Sequence, residues 1–243
     1  MNRIKLGPLA TRTPASRSEF DSESRSARSR PPAGEHALFI PLHYEKNHAY
    51  PLVVWLHDCG ADETSLSKVM AALSLQNYVA VAPRGSLPTP DGGFDWVQSA
   101  SAIEASDQSI AEAIDDARRQ FHIATQRVFI AGGGSGGTMA FRIAFQRPDW
   151  FAGVLSINGS LPVGLAPMAR LNACRRLPVF WTHCRGDERF AESTLARQLR
   201  VLHIAGFNVT LRQYPAGSRH EEIWPDANRW MMELVTRPTQ VPF

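Results

Sequence analysis

From about residue 35 the chain alternates short continuous apolar runs with longer stretches in which apolar residues recur every three or four positions. Continuous runs are what strands covered on both faces require, and the three-to-four spacing lays one apolar stripe along a helix. The runs are LVVWL at 52–56, YVAVA at 78–82, VFIA at 128–131, GVLSI at 153–157 and VFW at 179–181. VTLR at 209–212 alternates instead, which suits a strand nearer a sheet edge, and 37–42 reads as an earlier strand pairing antiparallel at the opposite side. One helical stripe is Leu66, Val69, Met70 and Leu73, and a second is Ile103, Ile110, Ile114, Ala117 and Phe121. Leu195, Leu199 and Leu202 share a third, and Ile223, Ala227, Trp230, Met231 and Leu234 a fourth. Ser101 and Glu104 have capping-box spacing and are expected to start the second helix. This alternation predicts an α/β fold with a mostly parallel central sheet and helices on both faces. No segment has the length of a large lid.

Composition divides the chain at about residue 34. Residues 1–34 carry seven Arg or Lys against three acids, a balance of +4, whereas the whole chain is +3, so residues 35–243 are close to neutral at −1. This Ser/Arg-rich leader ends at Pro31-Pro32 and has few apolar residues, so it reads as a disordered basic tail ahead of one domain over 35–243. Its aromatic-poor composition points to no nucleic-acid partner. There is no signal-like apolar stretch near Met1 and no run of about 18 apolar residues, so no membrane span is expected and the expected location is cytoplasmic. Cys59, Cys174 and Cys184 are odd in number and lack framework or zinc spacing, so neither disulfide nor metal is expected.

In an open parallel sheet the reactive groups gather on loops at the carboxyl ends of strands. Those ends carry His57-Asp58-Cys59-Gly60, then Gly133-Gly134-Ser135-Gly136-Gly137, then His183-Cys184-Arg185-Gly186-Asp187, and last Gly217-Ser218-Arg219-His220. A glycine-flanked serine between an apolar run and a helical stretch is a strand-to-helix turn able to lift a hydroxyl clear of the sheet. Ser135 is therefore the candidate nucleophile, His220 the base that would take its proton, and Asp187 the acid that would orient that base. The amide of Gly136 and, from the first loop, that of Cys59 are the candidate oxyanion donors. Trp96 could line an acyl pocket or simply pack, and His57 and His183 read as groups that hold their loops.

These motifs resemble those of the phospholipase/carboxylesterase kind of α/β-hydrolase, over roughly residues 36–236. The family's Leu-His-Gly-x-Gly resembles Leu56 to Gly60, its G-x-S-x-G resembles Gly133 to Gly137, its His-Gly-x-x-Asp resembles His183 to Asp187, and its terminal histidine resembles His220. The resemblance implies hydrolysis of small to medium carboxylic esters or thioesters through an acyl-enzyme, without metal or organic cofactor. Two departures stand out. Asp58 and Cys184 replace glycines, and a carboxylate at 58 would oppose developing negative charge unless it points away or pairs with a cation such as Arg84 or Arg185. Asp58 thus keeps open a second reading, a binding or scaffolding module with an altered site. An exposed edge at the last strand would permit a homodimer.

Overall fold

The structure is a computed structural model that describes residues 4–6, 35–216 and 220–236, with the side chains of residues 4–6, 220 and 221 outside the description. In chain order its strands are β1 (Ile4–Leu6), β2 (His36–Phe39), β3 (Tyr50–Leu56), β4 (Val79–Pro83), β5 (Leu87–Pro88), β6 (Phe94–Asp95), β7 (Ile123–Gly133), β8 (Gly153–Ile157), β9 (Val179–Cys184) and β10 (Val209–Tyr214). Its helices are α1 (Leu66–Leu73), α2 (Ala100–Gln120), α3 (Gly134–Gln146), α4 (Leu171–Cys174), α5 (Glu192–Ile204) and α6 (His220–Thr236).

Eight strands form one sheet in the order β1-β2-β4-β3-β7-β8-β9-β10. From β4 to β10 every neighbouring pair is parallel, and β2 joins β4 antiparallel, as the chain pattern predicts. β10 lies at one edge and its residues are only partly covered, in accord with its alternating sequence. By contrast β3, β4 and β8 are buried along their whole length, because helices cover both faces. The helices α2, α3 and α5 pack on one face around Phe141, Phe145 and Trp181, while α1 and α6 pack on the other around Phe129, Phe180 and Trp224.

Two local expectations shift. The second helix starts two residues early, at Ala100, and its cap is Ser99, whose hydroxyl accepts the Ala102 amide at 3.3 Å; Ser99 is extended and so can face the open end of the helix, whereas Ser101 already lies in the first turn. Inside the segment read as a tail, Ile4–Leu6 add β1 antiparallel to β2, and the rest of 1–34 lies outside the described residues.

Candidate active site

The turn from β7 into α3 sets the site. Gly134 is left-handed, with φ of +47°, and α3 begins there, so Ser135 is the second residue of the helix. The strained residue of such a turn is the one that projects a side chain over the sheet end. That position is glycine here, one residue before Ser135. A Cβ on Gly134 would collide with Oδ1 of Asp58. The Ser135 Oγ itself is buried and has no hydrogen-bond partner among the described residues. Gly136, behind it, admits no side chain because a Cβ would collide with the carbonyls of Leu56 and His57. The turn bearing Ser135 is thereby wedged against the loop that leaves β3.

That loop is rigidly mounted. His57 is buried; its Nε2 accepts the Gly85 amide at 2.9 Å, which leaves the proton on Nδ1, donated to the Asp58 carbonyl at 2.9 Å. Desolvation lowers the His57 pKa below its ordinary 6.5, so the ring stays neutral in this role. Trp96 is only 3% exposed and its indole N–H donates to the His57 carbonyl at 3.0 Å, so it braces the loop. The Gly60 amide bonds to Phe94 O and the Phe94 amide to Ala61 O, which stitches the loop to the β5–β6 hairpin.

Asp58 then faces the site from this fixed loop. Its Oδ1 accepts the Cys59 amide at 2.8 Å, and its Oδ2 lies 3.4 Å from Arg189 Nη1. The cation is thus neither Arg84 nor Arg185: Arg84 is engaged by Glu35 and Glu63. Of the two candidate oxyanion donors, the Cys59 amide is already held by a carboxylate. The Cys59 thiol is pushed above its ordinary pKa by partial desolvation and then by the Asp95 charge, so it remains a protonated bystander.

Arg189 also reaches the acid loop. Its Nε lies 3.8 Å from Asp187 Oδ1, an atom that accepts the Arg189 amide at 2.9 Å. The Asp187 side chain is 11% exposed, held in a loop whose base is the buried His183, with Nε2 at 2.8 Å from the Phe190 carbonyl. His220 opens α6 after β10, and its side chain lies outside the described residues. The structure thus joins the Ser135 turn, the Cys59 loop and the Asp187 loop through Asp58 and Arg189. Arg189 was not among the predicted site residues; its separation from Asp58 by 131 positions leaves no local signal.

Among the described residues no cluster of His, Cys, Asp or Glu could hold a metal ion, and no helix is long and apolar enough to cross a membrane. A cleft of about 490 Å³ opens at the opposite end of the sheet, lined by Tyr50, Asn77 and Arg127, away from every predicted site residue.

A six-stranded parallel core with two-sided helical cover and a glycine-rich strand-to-helix turn at its carboxyl edge defines an α/β-hydrolase fold. The crystal structure of a carboxylesterase from Mesorhizobium loti has this fold, with a TM-score of 0.66 and 18% identity over 82% of this chain and 94% of that one. A Bacillus cereus carboxylesterase (TM-score 0.63, 16% identity, 82% and 94% covered) and Arabidopsis thaliana SOBER1 (0.63, 17%, 77% and 100%) are similar in the same way. At these identities the likeness establishes the fold. Residues 42–232 match the phospholipase/carboxylesterase family, and the chain belongs to it, a family of ester-acting hydrolases. A protein from Nocardia uniformis subsp. tsuyamanensis named Putative esterase NocK is 30% identical over 97 residues, 40% of this chain; that match spans about a quarter of NocK, 24% of its length.

Proposed function

We propose that the protein is a serine hydrolase that cleaves small to medium acyl esters through Ser135, His220 and Asp187. The observation that carries this reading is the convergence of three loops: the Ser135 turn, the Cys59 loop and the Asp187 loop are all within reach of the Asp58–Arg189 pair. Among the described residues the Ser135 hydroxyl has no hydrogen-bond partner, so none of them commits its proton or its lone pairs. In this reaction His220 takes the Oγ proton as Oγ adds to the ester carbonyl carbon, and Asp187 steadies the resulting imidazolium. The amides of Gly136 and Cys59 receive the oxyanion, the alcohol departs with the proton from His220, and water repeats the sequence to release the acid.

The test is hydrolysis of p-nitrophenyl butyrate, with fluorophosphonate labelling read by intact mass, for wild type beside Ser135→Ala. Turnover and a single adduct, both lost in the variant, are the expected result. Labelling that survives Ser135→Ala would sink it. A second reading is favoured by Gly134, since the left-handed position carries no hydroxyl: the fold then serves as a binding or scaffolding module. On that reading a folded wild type neither labels nor turns over.

A further inference from the structure

The serine-hydrolase reading leaves one group unexplained, the Asp58 carboxylate, which stands in the middle of the site it should harm. Three observations fix what it does there. Its Oδ1 lies in the space that a side chain at Gly134 would take, at the amino end of α3. The same oxygen takes the Cys59 amide at 2.8 Å, one of the two donors the reaction needs for its oxyanion. In the same turn the Ser135 Oγ is buried and, among the described residues, has no hydrogen-bond partner.

An anionic oxygen against a helix amino terminus and a loop amide has the charge and shape of the acid that hydrolysis releases. We propose that Asp58 is a built-in product mimic that gates the site: its carboxylate occupies the acyl position in the resting protein and must swing out before an ester binds. The proposal rests on the serine-hydrolase reading. The loop backbone need not move, since His57, Trp96 and Gly85 hold it, and only the Asp58 side chain has to rotate.

What keeps the gate shut is weak enough to open. The Arg189 side chain is 67% exposed and its contact with Asp58 is 3.4 Å, an ion pair open to water and salt. Asp187 faces the same guanidinium at 3.8 Å, so the latch also ties down the acid that should orient His220. No other cation pairs with Asp58 among the described residues.

The experiment measures the rate of fluorophosphonate adduct formation at Ser135, and kcat/KM for p-nitrophenyl butyrate, in wild type, Asp58→Ala, Asp58→Asn and Arg189→Gln, each checked for folding by circular dichroism. Asp58→Ala is expected to label about thirtyfold faster, the equivalent of losing one charged hydrogen bond and one exposed ion pair. Arg189→Gln leaves the loop intact and should label a few-fold faster, about as fast as wild type in roughly 0.5 M salt, where the ion pair is screened. Butyrate should slow labelling of Asp58→Ala, whose emptied position accepts a free carboxylate, and leave wild type unaffected. If wild type labels at Ser135 and the Asp58 and Arg189 variants label no faster, the gate is wrong and the hydrolase reading stands. If no folded variant labels, both fall.

Discussion

Alanine at Gly134 tests where Asp58 lies without reference to activity. The substitution puts a Cβ on a residue at φ of +47°, which costs about 1 kcal/mol for the left-handed conformation alone. That Cβ collides with Asp58 Oδ1, so the carboxylate must move away. Leaving forfeits its bond from the Cys59 amide, about 1.5 kcal/mol for a charged acceptor, and its loose pair with Arg189, about 0.5 kcal/mol after allowing for exposure. Gly134→Ala should therefore destabilise wild type by about 3 kcal/mol and the Asp58→Ala background by only about 1 kcal/mol.

Urea unfolding of the four proteins of this cycle measures the difference. The loss of unfolded-chain entropy on replacing glycine is common to both backgrounds and cancels, so the coupling of about 2 kcal/mol reports the Asp58 contact itself. Equal costs in the two backgrounds, to within about 0.5 kcal/mol, would refute the placement of Asp58 over Gly134 and with it the gate.

Three further outcomes follow from other parts of the fold. His57 is neutral in the folded protein because burial lowers its pKa below 6.5, so the unfolded chain binds the extra proton as pH falls. Stability should be full above pH 6.5 and decline as pH drops from there through the lowered value, and the urea midpoint of His57→Gln should decline less over the same range. Arg142 is fully buried and donates to the carbonyls of Val163 and Gly164, each at 2.7 Å, and to Gln98 at 3.1 Å. Arg142→Met should speed amide exchange across residues 161–166 and lower stability by about 2 kcal/mol, and Arg142→Lys should not restore it, because a single ammonium lacks the planar fork. Tyr78 donates from a buried hydroxyl to Asn228 at 2.8 Å and so ties β4 to α6; Tyr78→Phe should cost about 1–2 kcal/mol in urea unfolding, and no loss would remove this bond from the account of how α6 is seated.

Residues 52–56 and 153–157 were legible as strands because a buried parallel strand has no polar face, and 209–212 as an edge because it has one. The helix stripes were equally plain, since Leu66, Val69, Met70 and Leu73 can share a face only at helical spacing. The start of α2 was not, because Ser99 and Ser101 are chemically alike and only the extended backbone at Ser99 makes it the cap.

The phasing of the glycine-rich turn was hidden for a deeper reason. Glycines at 132, 133, 134, 136 and 137 satisfy a glycine-flanked pattern around Ser135 whichever residue takes the left-handed conformation. Packing decides it: Gly136 lies against the carbonyls of Leu56 and His57, and Gly132 against the backbone of Gly136. Those two contacts clamp the turn so that the left-handed residue is Gly134. Once the turn is clamped, the space a side chain would take at Gly134 is open to the β3 loop, and Asp58 enters it. The replacement at position 58 and the glycine at 134 are therefore one feature, because a carboxylate fits there only while the turn presents no side chain.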